Sequence, residues 1–364
     1  MRLVFFGLSI TSSWGNGHAT TYRGLMRGLH RLGHQVVFFE RDVEWYARHR
    51  DLPQPPHVEL CLYSDWAEVQ TRALRAAREC DAVVVGSYFP DAIAVLDRLL
   101  GRSGPPIAFY DIDTPITLEK LRAGQCSYLR ADQIPACDLY LSFTGGPVLV
   151  ELEQTWGTRV VRPLYCACDE SSYRVLRRPR HPPVALSFLG TYAPDRQLKL
   201  ERLLLEPARR LPQMQFRVAG SMFPDVAGWP PNNHYLHHLA PQDHPEFYAT
   251  SRFTLNLTRQ AMVEAGYSPS VRLFEAAAAA TPILTDPWPG LGEFFRAGSE
   301  VLITAQTQDV VEALTTLSPR EAENIGAAAQ ERVLAHHTCT QRAAELESYL
   351  QLAHRSPLTS GNLS

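Results

Sequence analysis

The chain has 364 residues, 45% of them hydrophobic, and a formal net charge of −3 at pH 7. That length exceeds what one hydrophobic core usually supports, so two domains are expected. The mild charge, without long blocks of one sign, argues against nucleic acid or an anionic membrane surface as the main partner.

The predicted elements alternate from the start. A strand at Leu3–Gly7 leads through a glycine-rich loop into an amphipathic helix from His18 to Leu32, and after the helix-ending Gly33 a second strand follows at Gln35–Phe39, which makes a βαβ unit. A helix at Ala67–Glu79, a strand at Ala82–Gly86, a helix at Asp91–Leu100 and a strand at Ile107–Tyr110 continue the pattern, with short strands at Leu139–Phe143 and Arg159–Arg162. Continuous apolar strands between helices imply a parallel sheet buried on both faces.

Residues 166–183 are polar and proline-rich without apolar periodicity and read as a linker. The alternation then restarts with a strand at Val184–Leu189, a helix at Asp195–Leu211, and strands at Gln215–Ala219, Tyr235–Leu236 and Phe253–Leu257. A helix at Arg272–Ala280 and strands at Ile283–Thr285 and Glu300–Ile303 follow. Two helices are predicted from Pro319 to about His354, with Ser356–Ser364 frayed. The expected fold class is therefore α/β, with two doubly wound Rossmann-like domains at 1–165 and 184–335 and a final helix over 336–355. Ligands of such sheets bind beyond the carboxyl ends of the strands.

Four loops at those ends carry unusual chemistry. The first ends in Trp14-Gly-Asn-Gly-His18 at a helix N-terminus, where Gly15, Asn16 and Gly17 permit close backbone approach to an anion. His18 is a candidate general base, acceptor-binding group or phosphate contact. The second places Asp111 and Asp113 after a strand, a spacing that can hold a divalent metal; one suits helix capping ahead of Pro115, and the other is available to a sugar hydroxyl or a reacting proton. The third, Gly190-Thr191-Tyr-Ala-Pro-Asp-Arg196, puts an arginine in the first turn of a helix, suited to a diphosphate. The fourth, Tyr267-Ser268-Pro-Ser270-Val271-Arg272, leads into Glu275, a lone carboxylate in an alanine-rich helix one turn after an arginine. A charge there needs a partner, solvent or a ligand. Arginine for phosphate and glutamate for ribose hydroxyls together describe a nucleotide handle.

Other features have ordinary readings. His237 and His238 near Asp243 and His244 look like a metal cluster only superficially, since adjacent histidines point apart in a proline-punctuated loop. Seven scattered cysteines without a Cys-x-x-Cys pair suggest neither a disulfide framework nor a zinc ribbon. No apolar run is long enough to span a membrane, and the first residues do not form a signal peptide, so a cytoplasmic protein is expected.

With these loops in view, the chain resembles the GT-B glycosyltransferases, and most closely the bacterial CgeB-like, spore-maturation-like group. The residues that carry the resemblance are Trp14-Gly-Asn-Gly-His-Ala-Thr-Thr-Tyr-Arg23, Phe39-Glu-Arg-Asp42, Tyr110-Asp-Ile-Asp-Thr-Pro-Ile-Thr117, Phe143-Thr-Gly-Gly146 and Ser268-Pro-Ser-Val-Arg-Leu-Phe-Glu275. It spans about residues 1–350. Retaining enzymes of this kind carry two glutamates eight residues apart, the second of which binds the ribose of a nucleotide sugar. Glu275 matches that second position, and Tyr267 stands where the first would be.

The resemblance implies a glycosyltransferase, retaining and metal-independent, that takes a UDP-, GDP- or dTDP-sugar as co-substrate and holds no permanent cofactor. It assigns donor binding to Gly15, Asn16, Gly17, Gly190, Thr191, Arg196, His238, Tyr267, Ser268, Ser270, Val271, Arg272 and Glu275. His18, Asp113 and Asp111 fall on the acceptor side as catalytic candidates. The final helix, with Arg342, is expected to cross back onto the first domain. Competing readings are a sugar-nucleotide epimerase on the same fold, which the single Glu275 disfavours, and a non-catalytic sugar- or nucleotide-binding protein. The sequence gives the acceptor no chemical signature beyond a nucleophile such as a hydroxyl.

Overall fold

The computed structural model describes residues 1–173 and 178–355. Its chain divides into two units, one comprising Met1–Ser12, Tyr22–Tyr165 and the chain from Thr340 onward, the other Ser13–Thr21 and Cys166–Cys339.

The first unit is built on seven parallel strands: β1 (Arg2–Phe6), β2 (Gln35–Arg41), β3 (Glu59–Tyr63), β4 (Ala82–Gly86), β5 (Ile107–Asp111), β6 (Leu139–Ser142) and β7 (Val161–Pro163). Their spatial order is β3-β2-β1-β4-β5-β6-β7. Leu3 pairs with Val36 on one side and Ala82 on the other, so β1 is central and the chain reverses direction across the sheet between β1 and β4. Central β4 is buried along its whole length, which is why its sequence is an unbroken Ala-Val-Val-Val-Gly. The sequence reading contains no strand at β3. That segment is a half-exposed edge paired only to β2, so its apolar signal is weak.

The last helix, Cys339–Arg355, belongs to this unit from Thr340 onward. Ala343, Leu346, Leu350 and Ala353 lie in the same buried cluster as Leu3, Phe5, Leu25 and Met26. The helix starts three residues later than the expected 336 boundary. The expected frayed segment, Ser356–Ser364, lies outside the described residues.

The second unit repeats the plan with β8 (Val184–Leu189), β9 (Phe216–Ala219), β10 (Asn233–Leu236), β11 (Ser251–Asn256), β12 (Ile283–Thr285) and β13 (Leu302–Ile303), in the order β10-β9-β8-β11-β12-β13. The order reverses between β8 and β11, whose residues Phe253 and Leu186 are in register. Arg196 sits at the front of the helix predicted over Asp195–Leu211. That helix is α-helical at Pro194–Leu200 and Glu206–Arg210 but opens into a π-turn at Glu201–Leu205, where Glu206 N donates to the Glu201 carbonyl. Pro207 accounts for the wider turn, because it lacks an N–H and its ring would meet the carbonyl four residues back in a regular helix.

The segment 166–183, expected as an interdomain linker, is packed in its first part, whereas Ser172, Pro179, Arg180, His181 and Pro183 are exposed. Cys166, Ala167, Cys168 and Tyr173 are buried, Glu170–Tyr173 forms a short helix, and Cys168 exchanges backbone hydrogen bonds with His337 and Cys339. Arg178 donates to the carbonyls of Ala280, Ser251 and Arg252. The remaining four positions of that segment, 174–177, lie outside the described residues. The glycine loop was expected with residues 1–165, yet Ser13–Thr21 group with the second unit.

Candidate functional site

The carboxyl ends of β8 and β11 mark the reversal point of the second sheet, and Gly190, Arg196, Ser270 and Arg272 lie near it. Arg272, in the first turn of the helix Val271–Ala278, is buried; its Nη1 donates to Asn256 Oδ1 at 3.0 Å and its Nε to the Leu189 carbonyl at the end of β8. The guanidinium lies 4.9 Å from the centre of the Phe188 ring. Gly190 is what lets it lie there: a Cβ on that residue would come within 2.5 Å of Arg272 Nη2.

Arg196 approaches the same Phe188 ring at 6.0 Å and donates to the Thr191 carbonyl, while its enclosed Nε has no hydrogen-bond partner. Burial first, then repulsion from Arg272 and Arg259, pulls its pKa down to about 9. Burial likewise lowers that of Arg272. Two guanidiniums are thus held on one aromatic ring and destabilised by desolvation, an arrangement that an anion relieves.

Asn256, at the last position of β11, organises this corner. Its Oδ1 accepts from both Arg272 and Ser270 Oγ at 2.8 Å, and its amide donates to Thr285 Oγ1 at 3.0 Å. Because Ser270 spends its hydroxyl on Asn256, it does not cap the helix it precedes, and the first turn of that helix has no side-chain cap. Beside it, Lys199 Nζ donates to Asp286 Oδ2 at 2.7 Å and to the Thr258 carbonyl at 2.8 Å. Sequence reasoning missed Asn256, Lys199 and Asp286. Their only sequence signal is position: Asn256 closes a strand at the reversal point, and Asp286 follows the next one.

Glu275 lies one turn beyond Arg272 and is buried. Its Oε1 faces His244 Nδ1 at 3.2 Å and its Oε2 accepts from the Tyr248 hydroxyl at 3.4 Å. Its side-chain hydrogen-bond partners therefore come from the helix His244–Ala249. Burial opposes a charge on His244, but the Glu275 carboxylate and the Leu239 carbonyl outweigh it and raise the pKa above the ordinary histidine value.

The glycine loop reaches the same helix. Gly17 sits where a Cβ would be 3.8 Å from Val271 Cγ1, and Gly15, with φ of 66°, lies 3.6 Å by the same measure from Ser221 Oγ. Asn16 Oδ1 accepts from Ala19 N at 3.1 Å, capping the helix that begins at His18. Trp14 packs on His238 and His237 with ring centres at 4.7 and 5.5 Å. Tyr267 has φ of 49°, donates its N–H to the Pro289 carbonyl at 2.7 Å and lays its ring on Gly290; Ser268 Oγ contacts Met262 Sδ. So Val271, Arg272 and Glu275 stand along one helix, with Gly17 against Val271 and Arg196 and Gly190 beside Arg272, while Tyr267 and Ser268 pack into the preceding turn.

In the first unit, Asp111 ends β5 and is fully buried. It accepts from Tyr140 Oη at 2.6 Å, Thr117 Oγ1 at 2.7 Å and Asp113 N at 3.2 Å, and burial, partly offset by those bonds, raises its pKa to about 6. Among the two acids Asp113 is the accessible one. It occupies the N-cap position of the helix Thr114–Arg122 but makes no side-chain cap, and its Oδ2 instead accepts from Tyr88 Oη at 2.7 Å. Asp111 thus acts as a buried support, which removes it from direct contact with a substrate. The motif residue Glu40 is also structural: its carboxylate takes the N–H groups of Ile10 and Thr11 and the hydroxyls of Ser9 and Thr11, pinning the loop after β1. Among the described residues, no cluster of three or more histidine, cysteine, aspartate or glutamate side chains could hold a metal ion. Nor is any described helix long and apolar enough to cross a membrane.

Residues 196–348 match the family model described as glycosyl transferase-like. Among curated proteins none matches by sequence. Solved structures do match over nearly the whole chain. Sucrose-phosphate synthase from Thermosynechococcus elongatus superposes with a TM-score of 0.69 at 13% identity, covering 98% of this chain and 100% of that one. HepE from Anabaena, solved with UDP-glucose, gives 0.70 at 13% identity, covering 97% and 100%. An α-glucosyltransferase solved with UDP and a 13-mer DNA containing an HMU base gives 0.70 at 12% identity, covering 96% and 99%. These likenesses establish the fold: α/β, of the GT-B architecture that the motifs led us to expect.

Proposed function

We propose that this chain is a glycosyltransferase that transfers a sugar, a hexose by the resemblance, from a nucleoside diphosphate to an acceptor hydroxyl or similar nucleophile. The observation that carries the reading is the pairing of Arg196 and Arg272 on Phe188 one helical turn from Glu275. It supplies two cations and an uncapped helix start for a diphosphate, next to a carboxylate suited to ribose hydroxyls. In the reaction the bond between the anomeric carbon and the diphosphate oxygen breaks, a bond to the acceptor oxygen forms, and the acceptor's proton passes to a base. Charge on the leaving diphosphate is the barrier that Arg196, Arg272 and the first turn of the Val271 helix lower, without a requirement for a bound metal. Asp113, accessible and held by Tyr88 rather than spent on capping, is the acceptor-side base in this reading, with His18 as the alternative. Gly15, Asn16, Gly17 and His238 line the donor side in the same reading, together with Thr191, Ser268 and Ser270.

UDP is the first nucleotide to try, because HepE and the α-glucosyltransferase were solved with UDP or UDP-glucose. The acceptor is a free choice for this architecture; one relative was solved with DNA, whereas the net charge of −3 here gives no field attracting a polyanion. Buried cysteines at Cys61, Cys137, Cys166, Cys168 and Cys339 suit the reducing cytoplasm. The test is a screen of UDP-, GDP- and dTDP-sugars for slow hydrolysis, followed by NMR of the released sugar. Release of sugar with the donor's anomeric configuration supports the retaining assignment, inversion overturns that part, and no turnover of any donor overturns the enzymatic reading.

A further inference from the structure

Glu275 is buried, and its two oxygens are taken up by one neighbouring helix. His244 and Tyr248, four residues apart on the helix His244–Ala249 and therefore on one face, meet Oε1 at 3.2 Å and Oε2 at 3.4 Å respectively. A carboxylate has about four acceptor positions, so one donor on each oxygen fixes its plane while leaving the outer lone pairs for a ligand. The geometry of His244 is more specific. Its second nitrogen, Nε2, faces the Leu239 carbonyl at 3.4 Å. Both ring nitrogens thus face atoms that only accept hydrogen bonds, and a neutral imidazole, with one N–H, leaves one of those contacts unfavourable. The doubly protonated ring satisfies both.

We propose that His244 and Tyr248 are positioning residues that hold Glu275 for the vicinal hydroxyls of a nucleotide's ribose, and that His244 does so as an imidazolium, which couples nucleotide binding to a proton. This rests on the donor reading given above and adds to it the residues that make Glu275 selective. Other ionisable groups near the carboxylate do not share the role. Burial, followed by the Glu275 charge, pushes Tyr248 and Tyr173 well above their ordinary range, and burial raises Cys168, so these stay neutral through the physiological range. Burial lowers the pKa of Arg272, and Asp243, which precedes His244 in the chain, adds a second negative charge that favours the imidazolium. His244 is therefore the group facing Glu275 whose hold on a proton the carboxylate strengthens. By linkage, an arriving diphosphate anion stabilises the imidazolium, so protons are taken up on binding once the pH exceeds the His244 value in the free protein.

The experiment is titration calorimetry with UDP and 2′-deoxy-UDP at two pH values on either side of 7.5, each in two buffers of different ionisation enthalpy. The proteins are wild type, His244→Ala, His244→Gln and Tyr248→Phe. Wild type is expected to prefer UDP over 2′-deoxy-UDP by roughly tenfold or more, the scale for a hydroxyl bonded to a charged group. His244→Ala should shrink that preference to about threefold or less, and Tyr248→Phe should lower it by a smaller factor. His244→Gln, which retains an N–H for Oε1, should recover most of the preference but lose the proton uptake seen in wild type. An unchanged preference in folded His244→Ala overturns the positioning role. Proton uptake in His244→Gln equal to wild type overturns the charge coupling, and this readout also decides the matter if the alanine variant does not fold. Failure of the donor reading looks different: wild type then binds neither nucleotide.

Discussion

At the scale of single residues, Arg272 draws together most of the candidate site, since its guanidinium touches Phe188, Asn256 and the end of β8 at once. Replacing it with glutamine keeps hydrogen-bonding atoms but removes the charge, and UDP affinity should fall by about tenfold to a hundredfold, the range for a charge-assisted contact. Asn256→Ala should weaken UDP binding by a smaller factor, because it frees Arg272 and Ser270 without deleting either; calorimetry on both variants checks the order. Asp113→Asn should lower turnover by about a hundredfold or more while leaving the UDP dissociation constant near wild type, as expected for a base that acts on the acceptor. Sequence alone pointed to Arg272 and Glu275 because charges in an alanine-rich helix contradict the local pattern. It missed Asn256 and His244 for the opposite reason. An asparagine after a strand and a histidine in a proline-punctuated loop look like ordinary turn residues, and only the three-dimensional reversal of the sheet and the packing of one helix on another give them partners.

At the scale of elements, the helix Pro319–His336 packs on the site helix Val271–Ala278 through Gly326, where a Cβ would lie 2.2 Å from the Ala280 carbonyl. Gly326→Ala should therefore force the two helices apart and cost about 1–3 kcal/mol in urea unfolding, in line with overpacking a core contact. A cost below about 0.5 kcal/mol would show that this contact is loose. Gly190→Ala tests a different element, the turn after β8: the protein should fold, but a displaced Arg272 should reduce UDP affinity. Alternating strands and helices were readable because both sheets are parallel and buried, so their strands are continuous apolar runs. The π-turn at Glu201–Leu205 was not, since its cause, Pro207, lies downstream within a segment of good helix formers. The burial of Cys166, Cys168 and Tyr173 was not readable for a related reason: it depends on their meeting distant chain, which polarity and proline content do not reveal.

At the scale of the whole molecule, the buried acid Asp111 ties stability to pH. Its folded value of about 6 lies above the ordinary 3.8, so the native state holds its proton more tightly than the unfolded chain does. Stability through this group therefore increases as pH falls from about 6 to 4, and above 6 its ionised form costs roughly 3 kcal/mol. Glu40, also raised by burial, acts in the same direction. Asp111→Asn should flatten the dependence of unfolding free energy on pH across that window, and an unchanged slope would contradict the assignment. Function at this scale rests on one claim, that the second unit is built to hold a nucleoside diphosphate between Arg196, Arg272 and Glu275. Calorimetric titration of the wild-type protein with UDP, GDP and dTDP tests it most directly: we expect saturable binding of at least one, weakened in both Arg272→Gln and Glu275→Ala, whereas binding of none by protein with a normal cooperative melt would contradict it.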